Sequence, residues 1–412
     1  MNKKNKDFTI IVLGQIISLF GSAIQRFALS LYLLDLTGSA SIFASILAIS
    51  VIPVIILSPF AGVIADRFHK RNIMVILDFI SGAVIAAYAV ILFSGRDHYL
   101  IVATVMLLLS GISTLYQPSV TASIPLVVKG DGLMKANGIV QQVSSMANFL
   151  GPMIAGVLYG FLGIKGIIVI NGISFFVSAV MELFLEIPFV KVPKNGSTLK
   201  AFMVDIKDGL GYLKNENVIL LRMVCTSGLY NLFLASVFGV GTPYVIKVLL
   251  GMDASAYGVA EAFIAFGMIA GSFVISHKPN LSSIQTVYKV LYPSGFAMML
   301  MGFSLFLPIN TTAGRILCYL IYAFFGMTIM FTIGIANVLS ATYTQQVTPN
   351  EFLGKTSAFT MLFATISIPL GQTIFGWLLD LFPAHISIVI AVCGLCTFLV
   401  TLLVRWNVRQ IK

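Results

Sequence analysis

The sequence predicts an all-α integral membrane protein with twelve membrane-spanning helices in two six-helix bundles. Three features predict this class: the composition, a series of long apolar runs, and one polar segment near the middle of the chain. Of the 412 residues, 58% are hydrophobic and 10% are charged, whereas soluble proteins carry about 25% charged residues. A water-soluble fold cannot bury this much apolar surface, so we expect a chain that crosses the lipid bilayer many times.

Each apolar run is long enough to cross a bilayer, which takes about 20 residues. The predicted spans are 8–34, 41–65, 72–94, 99–127, 134–162, 166–187, 219–248, 254–276, 284–308, 313–342, 352–381 and 386–405. Short hairpin connections join the spans except at 188–218. That segment has apolar residues at helical spacing from Leu199 to Leu213, with lysines off that stripe. We therefore predict two bundles, 1–187 and 219–412, joined by a linker with an amphipathic helix on the inner membrane surface.

The two halves share a weak internal repeat at an offset of 220 residues. Gly151 aligns with Gly371, and Gly156 aligns with Gly376. Together with the central linker, this repeat predicts two bundles related by an axis along the membrane normal.

The Lys and Arg residues predict the orientation, because they are enriched in cytoplasmic loops. With the N terminus inside, inner segments hold 20 of the 25 cations, and the outer loops hold four, Arg96, Lys165, Lys247 and Arg315. We expect a multi-pass monomer of the cell membrane with both termini in the cytoplasm. The net charge of +10 does not indicate nucleic-acid binding, because the cations are not clustered in a soluble domain.

The most specific motif lies between the second and third spans. Gly62 precedes Asp66 by one helical turn on the same face, so that another helix can approach closely there. The carboxylate of Asp66 can then act on the positive N-terminus of that helix. Asp78, seven residues after Arg71, is expected to bond to this loop. The cations of the gating loop are Arg67, Lys70 and Arg71.

This order, G-x-x-x-D-R-x-x-K-R, resembles the signature loop of the major facilitator superfamily. The stretch from Gly14-Gln15 through Gly38-Ser39-Ala40 to Asp78 is similar to the macrolide-efflux type of drug:proton antiporter. The resemblance implies transport by alternating access. It also implies that Asp66 caps the start of span eleven when the cytoplasmic side is closed, and that spans one, four, seven and ten line a central cavity.

A second motif, Gly151-Pro152-x-x-x-Gly156, lies in span five. Proline kinks a helix and the glycines allow close helix contact, so ordinary packing is one interpretation. The motif also resembles the antiporter signature of the superfamily, whose kinked fifth span packs against span eight and seals the outer side. Ala155 stands where the full pattern has a glycine, so the match is incomplete.

Arg26 is the only cation of the sequence deep within a predicted span. A charge near the bilayer centre costs at least ~2.5–3.5 kcal/mol, so Arg26 must face a cavity or a partner. Glu261, at a similar depth in span eight, is the expected partner. The pair is either a static ion pair or a site where the proton, as coupling ion, is bound and released. Asp35 and Asp380, at outer helix ends, are lesser candidates for proton entry.

One departure from the family bears on that coupling. Many drug:proton antiporters of the superfamily carry an arginine in span four, and this span four has none; Arg26 can replace it. Polar and aromatic residues of the spans that the resemblance places around the cavity predict a mostly apolar pocket for a bulky amphipathic ligand. These candidate substrate residues are Gln25, Tyr116, Gln117, Tyr230, Asn231, Tyr322 and Asn337.

The sequence contains no phosphate-binding loop, no histidine cluster and no catalytic constellation. We therefore expect no cofactor and no enzymatic activity. Our interpretation is a secondary active exporter that exchanges protons for a lipophilic small molecule such as a macrolide. Two alternatives are an exporter of an acidic metabolite such as a siderophore, with Arg26 as counter-ion, and a membrane sensor without transport. The intact Asp66-Arg67 pair disfavours the sensor.

Overall fold

A computed structural model describes residues 3–128, 132–188, 198–278 and 282–409. These residues are almost entirely helical. The long helices are Lys3–Thr37 (span one), Ala40–Ser50 and Ile52–Arg67 (span two), Lys70–Phe93 (span three), Tyr99–Val127 (span four), Gly132–Glu182 (spans five and six), Thr198–Asn215 (the linker), Val218–Ser236 (span seven), Ala254–His277 (span eight), Val287–Phe303 (span nine), Thr312–Val347 (span ten), Asn350–Leu381 (span eleven) and Ile386–Val408 (span twelve).

Short irregular turns extend some spans. Span seven continues through two π-helical segments, Val237–Gly241 and Tyr244–Leu249, and 3₁₀ turns flank spans nine and twelve at Ile284–Thr286, Ser304–Phe306 and Pro383–His385. Eleven helices of the described ranges are long and apolar enough to cross a membrane. One of them, Gly132–Glu182, is too long for a single crossing, since a helix rises about 1.5 Å per residue.

Gly163 divides that helix into two crossings. Its φ of 61° lies in the left-handed region, which glycine adopts without a steric penalty. The break falls between the predicted spans 134–162 and 166–187. The described chain thus contains twelve crossings, and the predicted fold class is confirmed.

Large apolar side chains cover much of the outer surface of the spans. Exposed examples are Phe161, Val90, Met361 and Trp377. Surfaces of this kind are stable in contact with lipid chains rather than water. The protein is therefore a multi-pass membrane protein.

The described chain separates into two compact units. The first contains residues 1–37 and 49–201, and the second contains 38–48 and 202–412. The beginning of span two thus groups with the C-terminal helices, and span two is interrupted at Val51, between its two helices. The predicted bundle boundaries at 187 and 219 remain predictions.

The two units use the same helix pairings. In the first unit span one packs on the helix of spans five and six, span two on span four, and span three on spans four and six. In the second unit span seven packs on span eleven, span eight on span ten, and span nine on spans ten and twelve. Each pairing recurs six spans later, which agrees with the internal repeat in the sequence.

The linker helix, Thr198–Asn215, docks on the start of span eleven within the second unit. Lys355 forms an ion pair with Asp208 at 2.7 Å, and the ring of Tyr212 stacks on Phe352 with centroids 4.7 Å apart. A Cβ atom at Gly209 would lie 2.6 Å from the carbonyl oxygen of Lys355, so only glycine permits this approach. Tertiary contacts hold the C-terminal part of this helix; its place on the membrane surface stays a prediction.

Candidate functional site

A cavity of about 470 Å³ lies within the first unit. Helices of all six spans of that unit contribute to its wall. The lining residues are Ser18, Leu19, Ser22, Ala23, Gln25, Arg26 and Leu29 from span one; Ser50, Val51 and Val54 from span two; Asp78 and Ser81 from span three; Met106, Leu109, Ser110, Ile112, Ser113, Tyr116 and Gln117 from span four; Ser144 and Ala147 from span five; and Phe175 from span six.

Three predicted residues of span one and span four have the expected surroundings. Gln25, Tyr116 and Gln117 all line this cavity. Gln25 is buried in its wall, and neither its amide nitrogen nor its amide oxygen has a hydrogen-bond partner among the described residues. The Gln25 amide is therefore available to a bound molecule or to water.

Arg26 also lines the cavity, with its side chain exposed to the open space. Within the described part of the first unit, no carboxylate lies close enough to pair with the guanidinium. Glu261 belongs to the second unit, where the hydroxyl of Tyr257 donates to its Oε1 at 3.1 Å. The Arg26–Glu261 pair accordingly stays a prediction.

Asp78 lies on the cavity wall, with 2% of its surface exposed. Among the described contacts, no hydrogen bond or ion pair joins the side chains of Arg71 and Asp78, and the expected bond of Asp78 to the gating loop stays a prediction. Asp78 instead lies beside Ser178 of span six. A Cβ atom at Gly14 of span one would lie 3.7 Å from both Ser178 Oγ and Glu182 Oε1, so Asp78, Ser178 and Glu182 belong to one cluster.

Glu182 is the last residue of the helix of spans five and six. Its position near the end of span six suggests an interfacial side chain, yet only 1% of its surface is exposed. The hydroxyl of Tyr116 donates to Glu182 Oε1 at 2.5 Å, and Gln15 Nε2 donates to the Tyr116 hydroxyl at 3.3 Å. Spans one, four and six thus meet at a buried polar cluster directly behind the cavity wall.

The candidate substrate residues of spans seven and ten belong to the second unit. The hydroxyl of Tyr230 is hydrogen-bonded to that of Thr401 in span twelve, and Tyr322 is fully buried with its hydroxyl 3.5 Å from Thr242. Asn231 is half-buried and Asn337 is exposed. Two of the four are thus engaged within the helix packing of the second unit. Their part in a substrate cavity stays a prediction.

The gating loop is described in part. Arg67 is exposed, Lys70 is buried, and a Cβ atom at Gly62 would meet no described atom within 4 Å. The side chain of Asp66, at the end of the helix Ile52–Arg67, lies outside the described residues. Its predicted role as a cap of span eleven therefore stays a prediction.

Gly151 of span five makes the close contact that its residue type suggests. A Cβ atom there would lie 2.7 Å from the Cβ of Ala23 in span one. Its repeat counterpart Gly371 lies equally close to span seven, since a Cβ atom would approach the carbonyl oxygen of Leu232 to 2.1 Å. Pro152 lies within the helix and Gly156 is buried. Gly151 thus serves helix packing, whereas the outer-gate role of the motif stays a prediction.

Both aspartates at the predicted outer ends are engaged rather than simply solvated. The hydroxyl of Tyr159 donates to Asp35 Oδ2 at 2.7 Å. Asp380 accepts hydrogen bonds from the backbone and side chains at the start of the helix Ala40–Ser50. Asp380 is therefore a helix cap within the second unit.

Sequence reasoning missed the serines of the cavity. Seven of them contribute to its wall: Ser18, Ser22, Ser50, Ser81, Ser110, Ser113 and Ser144. A signal was present, since Ser18, Ser22 and Arg26 recur every four residues and so share one helix face. Among the described residues, no group of three or more His, Cys, Asp or Glu side chains is arranged to hold a metal ion.

The protein crosses the membrane twelve times and consists of two units with the same helix pairings. One unit contains a drug-sized cavity with both polar and apolar residues in its wall. This is the architecture of a membrane transporter rather than an enzyme. The family model of the Major Facilitator Superfamily matches residues 11–372. The chain belongs to this superfamily.

Comparisons with individual proteins agree with that assignment. The chain is 24% identical to a macrolide efflux protein A of Streptococcus pyogenes over 385 residues, which cover 90% of this chain and 88% of that protein. It is 23% identical to a macrolide efflux protein A of Enterococcus faecalis, over 81% of this chain and 99% of that protein. A crystal structure of a bacterial homologue of the iron transporter ferroportin in the inward-facing state has the same fold, with a TM-score of 0.72 and 16% identity over 98% of both chains.

Proposed function

We propose that this chain is a secondary active exporter of a lipophilic or amphipathic compound such as a macrolide, exchanged for protons by alternating access. It acts as a monomer in the cell membrane with both termini in the cytoplasm. The cavity of the first unit carries this proposal. Its volume of about 470 Å³ falls in the range of small-molecule sites, roughly 300–1,000 Å³.

The chemistry of the wall supports an amphipathic ligand. Leu19, Leu29 and Met106 offer apolar contacts, while serine hydroxyls and the unpaired amide of Gln25 offer hydrogen bonds. A compound with an apolar ring and several hydroxyl groups satisfies both kinds of surface. The efflux relatives with similar sequences, which are named for macrolides, support the same substrate class.

A second candidate substrate is an acidic metabolite. The observation that favours it is Arg26, whose guanidinium faces the cavity without a carboxylate partner in the described part of the first unit. A bound carboxylate or phosphate would form charge-assisted hydrogen bonds with this group. Arg26→Lys keeps the charge and Arg26→Met removes it, so the pair of variants separates the two substrate classes.

The experiment is a drug-susceptibility panel on cells with and without the protein. Cells that express the Asp66→Asn variant at the same level are the control for transport. We expect raised resistance to at least one macrolide, abolished by a protonophore. Unchanged susceptibility to all macrolides, with export of an acidic compound that requires Arg26, would favour the second candidate. Export that is insensitive to the protonophore would contradict proton exchange.

A further inference from the structure

Among the described residues, the buried cluster behind the cavity wall contains two carboxyl groups and no cation. Asp78 and Glu182 are 2% and 1% exposed, and Gln15 beside them is 1% exposed. A buried carboxylate is costly unless it is paired with a cation, hydrogen-bonded or neutralised by a proton. A second carboxylate in the same buried cluster increases that cost, because the two negative charges repel each other.

Among the described residues, the cluster has fewer hydrogen-bond donors than acceptor oxygens. Asp78 Oδ2, Glu182 Oε2 and Gln15 Oε1 are buried acceptors without a partner among the described residues. Gln15 Nε2 donates to Tyr116 and the Tyr116 hydroxyl donates to Glu182 Oε1. The buried hydroxyl of Ser178, beside Asp78, has a single proton and can serve only one carboxylate oxygen. One carboxylic O–H group would supply the missing donor to a neighbouring oxygen.

Polar and charged residues from several neighbouring helices surround Asp78 and Glu182. Span one contributes Gln15, span four contributes Tyr116, and span six contributes Ser178 beside Asp78. The cations Lys70 and Arg71 lie at the beginning of span three, about two helical turns from Asp78. Asp7 faces the backbone amide of Glu186, one turn beyond Glu182, at 3.4 Å. Arg26 lines the same cavity but does not pair with Asp78.

Asp78 and Tyr116 form part of the cavity wall, whereas Glu182 lies behind it. Water in the cavity can therefore reach the cluster at Asp78 and exchange a proton there. We propose that Asp78 and Glu182 bind one proton between them and form a proton-loading site of the transport cycle. This inference rests on the proposed function. Loading forms one carboxylic O–H bond from a proton of cavity water, and release returns that proton to water and leaves the carboxylate.

Tyr116 has a positioning role in this proposal. Its hydroxyl fixes the orientation of Glu182 through the 2.5 Å bond and is itself fixed by Gln15. Tyr116→Phe keeps the ring and removes the hydroxyl. We expect this variant to shift the pH dependence of gradient-driven export.

The test compares two modes of transport by the purified full-length protein in liposomes, with labelled erythromycin as the probe. Counterflow exchanges labelled for unlabelled compound without net proton movement, whereas accumulation driven by a pH gradient requires proton coupling. We expect Glu182→Gln to lose accumulation and to keep counterflow. Glu186→Gln, at an exposed position four residues beyond the end of that helix, is the control and should keep both.

The outcomes separate this inference from the proposed function. Absence of both modes in the wild-type protein contradicts macrolide export itself. Accumulation retained by Glu182→Gln, or lost only in Glu261→Gln, overturns the assignment of the pair. Counterflow lost in a folded Glu182→Gln protein also overturns it, because the residue then serves ligand binding. Accumulation driven by a sodium gradient in place of the pH gradient would overturn the proposal, because the coupling ion would then be a metal cation and not a proton.

If Glu182→Gln does not fold, Glu182→Asp replaces it. Accumulation by Glu182→Asp with the same pH dependence as the wild type would count against the carboxyl pair.

Discussion

The carboxylate of Asp380 accepts a hydrogen bond from the hydroxyl of Ser39, with 2.6 Å between Oδ2 and Oγ. The same group accepts from the backbone amides of Ala40 and Ser41, each at 3.0 Å, and from the Ser41 hydroxyl at 2.5 Å. The carboxylate at the end of span eleven thus caps the first helix of span two. A negative charge is favoured there because a helix N-terminus carries partial positive charge.

Asp380→Ala should lower the free energy of unfolding by about 1–2 kcal/mol, because it leaves several N-terminal donors unsatisfied. Asp380→Asn should cost less, because the amide oxygen can still accept some of these bonds. Asp253→Ala, which removes a cap formed within a single helix, is the matched comparison. Unfolding in detergent measures all three. An Asp380→Ala protein as stable as the wild type would show that the cap contributes little.

Gly151→Ala should destabilise the first unit, because the new Cβ would lie 2.7 Å from the Cβ of Ala23. The cost of such overpacking is about 1–3 kcal/mol. Ala23→Gly removes the opposing methyl group, so the double variant should regain most of the stability. Unfolding curves of the two single variants and the double variant form a double-mutant cycle. Strictly additive effects would indicate that the two positions do not meet.

Gly156→Leu should affect the transport cycle rather than stability alone. The proposed outer-gate role requires span five to approach a neighbouring helix closely, and a leucine side chain would prevent this. We expect cysteines placed at the outer ends of the spans to become accessible to a membrane-impermeant reagent. Tight outer closure in the variant would argue against the role of this motif.

Asp66→Asn should lower transport and favour the inward-open state, because the neutral side chain interacts less strongly with a helix N-terminus. The interaction amounts to about 0.3–1 kcal/mol and more when partly buried, enough to shift a two-state equilibrium several-fold. Cysteine accessibility in the cytoplasmic vestibule measures the shift. Wild-type transport with unchanged accessibility would rule out the cap.

The Arg26–Glu261 proposal is tested by a double variant. Removing one member of a buried ion pair costs roughly 3–5 kcal/mol, since the other charge is then left without a partner. If the two residues pair, Arg26→Met with Glu261→Gln should be more stable than either single variant. Single variants as stable as the double variant would show that the residues are independent.

The sequence predicts the crossings well because long apolar runs have few alternatives to spanning a bilayer. Even the break near Gly163 is predicted, between runs that are each of membrane length. Gln25, Arg26, Tyr116 and Gln117, which the sequence singles out, line the cavity of the first unit, and their part in transport stays a prediction. Their polarity within an apolar helix is visible in the sequence, whereas the assignment of spans one and four to a cavity comes from the resemblance to the superfamily.

Contacts between distant segments are what the sequence does not reveal. The depth of Glu182 in span six can be read from its position, but its burial depends on Gln15 and Tyr116 from other spans. Asp380 likewise meets Ser39 across 341 residues of sequence. Tyr230 has the residue type of a cavity candidate, yet its hydroxyl is bonded to Thr401. Helix packing decides each of these cases, and residue type alone does not.

Proton release on substrate binding is the most direct test of the coupling between the cavity and the buried carboxyl pair. The purified protein is mixed with erythromycin in weakly buffered detergent solution, and a pH indicator records the protons released. We predict release by the wild-type protein and by Glu186→Gln, and none by Glu182→Gln. Binding without release in the wild type, or equal release in Glu182→Gln, would contradict this prediction.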